Sequence, residues 1–138
     1  ALIRTEPVSM MASTTSALPI VRKFLFDLQV QMAEKYNVIM DGRDIGTVVL
    51  PGAQVKIFLT ATAEDRAKRR MLEYKAKGQE ADFDKILEDI IKRDYQDMNR
   101  ATSPLKKAED AILLDTTGNE FSQSVELMMN TIKSRLFI

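Results

Sequence analysis

Cysteine and histidine are both absent from this chain of 138 residues. Their absence excludes disulfide bonds, thiol nucleophiles, histidine-dependent catalytic triads and zinc sites built from these two residue types. A chain without cysteine is compatible with the cytoplasm, which is where we expect this protein to act.

The chain also lacks an excess of charge of one sign, since 20 basic residues offset 20 acidic residues. No overall basic field draws it to nucleic acid or to an anionic membrane, so we expect neither as a partner. Any anion binding must come from local placement of arginine. The sequence contains no apolar run of membrane-spanning length, and its length fits one domain. We expect no signal peptide.

Hydrophobic residues recur along the chain with two different periods. Helical spacing predicts a short helix near residues 8–12 and an amphipathic helix over about 19–35. Thr62 and Asp82 are the expected N-caps of two further helices, and a final helix begins near Phe121. Short apolar runs predict strands at 38–40, 55–60 and 111–115. Alternating strands and helices predict an α/β fold, a parallel sheet flanked by helices, with ligands beyond the carboxyl ends of its strands.

Three charged residues near the end of the fourth helix are spaced to share one face. Arg93, Asp97 and Arg100 stand four and three residues apart. Two guanidinium groups suit phosphate and the carboxylate between them suits hydroxyl groups, which points to a phosphorylated sugar. A solvated ladder of ion pairs would have the same spacing. Asp94 falls inside the apolar stripe of this helix, and either an arginine partner or a bend would explain it.

The turn after the first predicted strand is rich in charge and glycine. It reads Asp-Gly-Arg-Asp-Ile-Gly-Thr over residues 41–47. Glycine allows close approach of the backbone, and Arg43 and Asp44 would project at the carboxyl end of the strand. The alternative is an ordinary turn with a local pair between Arg43 and Asp44.

Arginines also cluster on the helix after the second predicted strand. Arg66, Arg69 and Arg70 can neutralise charge on a polyphosphate. The alternative is a solvated basic face paired with neighbouring carboxylates. The segment 115–117, at the end of the last predicted strand, either contacts a nucleotide or simply terminates the strand.

Five motifs in order resemble the bacterial type of cytidylate kinase over nearly the whole chain, from about residue 8 to the last helix. They are DGRDIGTVV at 41–49, KIFLTA at 56–61, RAKRR at 66–70, RDYQDMNR at 93–100 and PLKKAEDAILLDTT at 104–117. The resemblance implies transfer of a phosphoryl group from ATP to CMP or dCMP with Mg²⁺. It also implies the P-loop fold of the nucleoside monophosphate kinases, with a mobile lid.

The resemblance implies a role for each matching residue. It places the base-reading residues at Ser13, Arg22 and Asp44. It places the residues that hold ribose and α-phosphate at Arg43, Arg93, Asp97 and Arg100. It makes Arg66, Arg69 and Arg70 the catalytic arginines of the lid, and no residue here is assigned to a metal. A carboxylate at Asp44 would accept from the amino group of cytosine and reject the carbonyl of uracil.

Such kinases begin with a strand and a phosphate-binding loop of the form GxxxxGK[ST], which none of the five glycines here belongs to. We therefore expect the carboxyl-terminal portion of a kinase, inactive by itself. Residues 1–18 would be a remnant of the monophosphate-binding region, and 19–138 an incomplete core with its lid at 62–82. The intact parent would be a monomer, and a gap in the sheet would let the fragment self-associate.

Two other interpretations stay open from sequence. One is a non-catalytic interaction or structural module that kept the kinase fold. The other is a nucleoside monophosphate kinase with a different base preference, against which Ser13 and Arg22 argue.

Overall fold

A computed structural model describes residues 6–16 and 18–136 of the chain. Within them the elements follow one another as α1 (Glu6–Ser16), α2 (Pro19–Lys35), a π-helix (Ile45–Val49), β1 (Ile57–Thr60), α3 (Ala63–Ala76), α4 (Phe83–Asn99), β2 (Ile112–Asp115) and α5 (Phe121–Leu136). The chain divides into two compact units, one ending at Asp41 and the other beginning at Gly42.

The first unit consists of α1 and α2, which pack against each other. Pro19 occupies the first turn of α2, where its missing N–H has no helical partner to lose. Lys23 and Asp27 form an ion pair of 2.8 Å one turn apart on its surface. Both predicted helices are thus confirmed, although α2 has no fully buried residue among those described.

The strand predicted at 38–40 is wrong for this chain. Residues 37–41 form neither helix nor strand, and Ile39 is 98% exposed. A strand needs a neighbour to bond its backbone N–H and C=O groups, and β1 and β2 are the strands that pair in the described part of the chain. Without that neighbour, the apolar residues at 38–40 do not form a strand.

The second unit contains a parallel pair of strands. β1 and β2 run in register from Ile57 opposite Ile112 to Thr60 opposite Asp115. Parallel strands require a long crossover connection, which α3 and α4 supply. Leu114 of β2 is buried, as is Ala61 directly after β1. The two strands predicted near 55–60 and 111–115 are confirmed, each slightly shorter than predicted.

A helical hairpin of α3 and α4 lies between the two strands in the chain. The hydroxyl of Thr62 accepts the backbone N–H of Asp65 at 3.2 Å, and Asp82 caps α4 in the same way. Gly78 has a φ of +69° in the turn between the helices, a conformation that favours glycine. Ala67 of α3 is fully buried, and α3 packs on α4. Both predicted caps are confirmed.

None of the helices described in either unit has both the length and the apolar content needed to span a bilayer. The boundaries expected from the resemblance, a remnant at 1–18 and a lid at 62–82, stay predictions.

Candidate functional site

The carboxylate of Asp97 lies between two guanidinium groups. Arg43 donates from Nε to Asp97 Oδ2 at 2.8 Å, and Nε of Arg93 lies 4.0 Å from the same oxygen. The Asp97 side chain is only 18% exposed, whereas those of Arg43 and Arg93 are 44% and 62% exposed. Two positive groups on one partly buried carboxylate leave a net positive charge that faces solvent. This arrangement can attract an anion and offer it two planar donors.

Arg43 reaches this cluster from a segment 54 residues away in the chain. Gly42 and Asp44 flank it in the turn that the sequence singled out. A Cβ atom on Gly42 would lie 2.8 Å from Cγ1 of Ile45, closer than such atoms approach, so a larger residue would displace the Ile45 side chain. The lack of a side chain at Gly42 therefore leaves room for Ile45 in the turn that carries Arg43.

The turn continues into the π-helix Ile45–Val49, which the sequence did not predict. The N–H of Val49 donates to the carbonyl of Asp44 at 3.2 Å. The N–H of Leu50 donates to the carbonyl of Ile45 at 2.7 Å. These bonds span five residues, a geometry that is rare in proteins and frequent at functional sites. The half-buried Asp44 lies at the N-terminus of this π-helix.

Only two of the three charged residues that were predicted to share one helical face lie on α4. α4 ends at Asn99, and Arg100 has extended backbone angles of −64° and 143°. The side chain of Arg100 donates from Nε to the carbonyl of Ser103 at 2.7 Å. Pro104 has no N–H to donate to the carbonyl of Arg100 and its ring would clash with that carbonyl, so the helix cannot continue through this segment. Arg93 and Asp97 therefore lie on the helix, and Arg100 lies just beyond its end.

Arg66 of α3 forms a bidentate ion pair with Asp94 of α4. The distances are 3.0 Å from Nη1 to Oδ1 and 2.5 Å from Nη2 to Oδ2. Nε of Arg66 donates to the carbonyl of Ala61 at 3.0 Å. The hydrogen bond with Asp94 raises the pKa of Arg66 above its ordinary value. Asp94 thus has the arginine partner that was one of the two explanations for its position in the apolar stripe.

The other two arginines of α3 have different neighbours. Arg69 Nη2 lies 2.5 Å from Asp65 Oδ2, and Arg69 also donates to the carbonyl of Thr116 and, at 3.4 Å, to its hydroxyl. Arg70 is exposed, donates from Nε to the hydroxyl of Tyr74 at 2.9 Å, and has its guanidinium carbon 5.5 Å from the centre of that ring. Arg66, Arg69 and Arg70 therefore do not form a single basic face.

Hydrogen bonds around the end of β2 explain the segment 115–117 as a strand terminus. Asp115 Oδ1 accepts from the N–H of Thr117 at 2.8 Å and from its hydroxyl at 2.6 Å, which lowers the pKa of Asp115. The buried Thr116 donates its N–H and its hydroxyl to the carbonyl of Thr60 at 2.9 and 3.1 Å. These contacts hold the carboxyl ends of β1 and β2 together.

Lys56 is a residue that the sequence reasoning missed, and it contacts the segment that follows the π-helix. Its side chain is only 7% exposed, and its ammonium group donates to both carboxylate oxygens of Asp110, at 2.9 and 2.7 Å, and to the carbonyl of Pro51. This hydrogen bonding lowers the pKa of Asp110. The contacts tie the segment after the π-helix to the segment before β2. A lone lysine inside an apolar strand pattern was the available signal.

Ser13 and Arg22, which were predicted to read the base, belong to the first unit. Ser13 lies in α1, and its side chain lies outside the described residues. Arg22 lies in α2, and its N–H donates to the carbonyl of Leu18 at 2.9 Å.

The part of the chain that the structure describes gathers no three acidic, histidine or cysteine side chains at a distance that would hold a metal ion.

A comparison with known families finds a match to the model described as cytidylate kinase, over residues 1–134. The chain belongs to the cytidylate kinase family. The expected recognition is therefore confirmed, and so is the fold type, a parallel sheet flanked by helices, here in a truncated form.

Individual relatives are similar along almost all of this chain. The cytidylate kinase of Carboxydothermus hydrogenoformans is 53% identical over 131 residues, which cover 95% of this chain and 59% of that protein. The one from Streptococcus mutans is 52% identical, with 91% of this chain and 56% of the relative covered. The one from Clostridium tetani is 51% identical, with 97% and 59% covered. The chain thus spans less than two thirds of the length of these relatives.

Proposed function

We propose that this chain is the part of a cytidylate kinase that binds the phosphoryl acceptor, CMP or dCMP. One observation carries the proposal. Arg43 and Arg93, from separate segments, converge on the partly buried carboxylate of Asp97. A solvated ladder along one helix would not recruit an arginine from 54 residues away. The names of the similar proteins support the choice of nucleotide.

The proposed acceptor site assigns complementary groups to each part of the nucleotide. Asp97 accepts hydrogen bonds from the sugar hydroxyls. Arg43, which holds Asp97 through Nε, can bind the α-phosphate through its terminal nitrogens, together with Arg93 and Arg100. Asp44 accepts from the amino group of cytosine. The base-reading roles expected for Arg22 and Ser13, which belong to the first unit, stay predictions.

The proposed donor is ATP, which carries Mg²⁺ as its usual counterion, in the cytoplasm. Phosphoryl transfer requires little covalent chemistry from the protein, because positioning and charge stabilisation dominate it. Arginine is therefore sufficient, and the absence of histidine and cysteine is no obstacle. Arg69 and Arg70 on α3 are the proposed contacts to the transferred phosphoryl group. The GxxxxGK[ST] loop that would hold the ATP phosphates is not among the 138 residues.

Calorimetric titration of the chain with CMP tests the proposal. We expect saturable binding that weakens by about tenfold or more in Asp97→Ala, because charge-assisted hydrogen bonds to the sugar are lost. The matched control is Asp89→Ala, which removes an exposed carboxylate from the same helix. Its affinity should equal that of the wild type.

The melting temperature separates this role from a structural one. Asp97→Ala should lower it only slightly, since both arginine partners are more than a third exposed and solvent weakens such ion pairs to about 1 kcal/mol or less. A large drop in melting temperature with unchanged CMP affinity would instead favour a purely structural ion-pair ladder.

A further inference from the structure

The ion pair between Arg66 and Asp94 bridges two helices beside the proposed acceptor site. Asp94 directly follows Arg93 and stands three residues before Asp97. We propose that Arg66 and Asp94 are positioning residues, which fix α4 so that Arg93 and Asp97 meet the nucleotide. Arg66 is then not a ligand of the transferred phosphoryl group. This inference rests on the proposed function.

The geometry of Arg66 supports a positioning role. All three nitrogens of its guanidinium group are engaged, two by Asp94 and one by the carbonyl of Ala61. The two side chains are 37% and 27% exposed, so the pair is partly shielded from water. A bidentate ion pair of this kind fixes the relative orientation of both groups, whereas a single contact between flexible side chains does not. To reach a phosphate, Arg66 would have to give up the bidentate contact that joins α3 to α4.

Ala61 connects the ion pair between Arg66 and Asp94 to the sheet. It is buried and directly follows β1, at the carboxyl end of the strand. Ligands of open α/β sheets bind beyond this end. Arg66 therefore connects the ligand-binding edge of the sheet to α4. Because Arg93, Asp94 and Asp97 share one rigid helix, a shift at Asp94 moves the other two side chains.

Charge gives a second reason for the pair. Asp94 and Asp97 lie three residues apart on α4, where like charges repel each other. An unpaired Asp94 would also repel a phosphate that arrives at Arg93. The guanidinium group of Arg66 cancels this charge while it holds the helix.

Asp94→Asn distinguishes positioning from the alternatives by the sign of its effect. If Arg66 binds phosphate, removal of the Asp94 charge releases it, and CMP and inorganic pyrophosphate should bind more tightly. If the pair acts through charge alone, the extra positive charge should also strengthen anion binding. If it positions α4, the affinity for CMP should fall.

The experiment is calorimetry of CMP binding to the 138-residue chain. We expect Asp94→Asn and Arg66→Lys each to weaken binding by about three- to tenfold, and the double variant to be no weaker than either, because the two residues act as a unit. Arg66→Lys keeps the positive charge but cannot form the bidentate contact. It therefore tests whether the orientation of α4 matters even if Asp94→Asn folds poorly. Asp89→Asn is the matched control and should bind like the wild type.

Each result decides between the inferences. Tighter or unchanged binding by Asp94→Asn, with wild-type binding intact, overturns the positioning role and leaves the proposed acceptor site standing. Additive losses in the double variant overturn it as well. A wild-type chain that does not bind CMP contradicts the proposed function itself, and the positioning role falls with it.

Discussion

The sequence reveals one of the two arginine neighbours of Asp97 and not the other. Its spacing from Arg93 is visible in the sequence, and the structure places both on α4. Its closest partner, Arg43 at 2.8 Å, comes from a turn whose approach depends on tertiary packing. Asp94 was visible only as a charge inside an apolar stripe, and its partner could not be named because several arginines precede it.

At the same scale, Asp44 carries a prediction about base selection. Asp44→Asn replaces a carboxylate, which only accepts, with an amide that also donates. An amide can satisfy the carbonyl of uracil, so the ratio of CMP affinity to UMP affinity should fall by about tenfold, comparable to the loss of one discriminating hydrogen bond. Asp41→Asn changes the same charge in the same turn and should leave the ratio unaltered. Calorimetry with both nucleotides measures it, and an unchanged ratio in Asp44→Asn would remove Asp44 from the base-reading set.

Elements were predictable where local chemistry decides them. The caps Thr62 and Asp82 and the apolar periodicity after them predicted α3 and α4 correctly. The strand at 38–40 was wrong because pairing, and not local preference, decides whether an apolar run becomes a strand. The π-helix was not predictable, since no residue pattern in the sequence specifies hydrogen bonds that span five residues.

The π-helix carries a prediction of its own through Gly42. Gly42→Ala should force Ile45 to move, because the new Cβ would meet its side chain at 2.8 Å. We expect about threefold weaker CMP binding and a loss of about 1 kcal/mol in the free energy of unfolding, the low end for overpacking. Gly52→Ala is the control, since a Cβ there meets nothing within 4 Å. Equal CMP affinities in the two variants would mean that the turn does not position Arg43.

At the scale of the whole molecule, the chain matches its relatives along nearly all of its own length but spans only 56–61% of theirs. The residues proposed to bind the acceptor fall within this span. The motif for the donor phosphates does not occur in it. Membership of the family was predictable because five motifs keep their order. The geometry of the site was not, because it depends on a contact between segments 54 residues apart.

The presence of the acceptor residues without the donor loop predicts how the 138-residue polypeptide behaves in a coupled ATP–CMP assay. We expect no measurable turnover, because nothing in its sequence provides the loop that cradles the ATP phosphates. The cytidylate kinase of Carboxydothermus hydrogenoformans is the positive control. Turnover near the rates usual for kinases, about 1–100 s⁻¹, would contradict the prediction.

The parallel pairing of β1 and β2 has a consequence for cooperativity. Thr60 and Thr116, which bond at the end of the pair, are 56 residues apart in the chain. Pairing such distant segments costs loop-closure entropy, which grows with the length of the flexible connection. The packed hairpin of α3 and α4 shortens that connection, so the sheet draws part of its stability from contacts outside itself. A substitution that separates the two helices therefore loosens the strands, although it alters no residue in them.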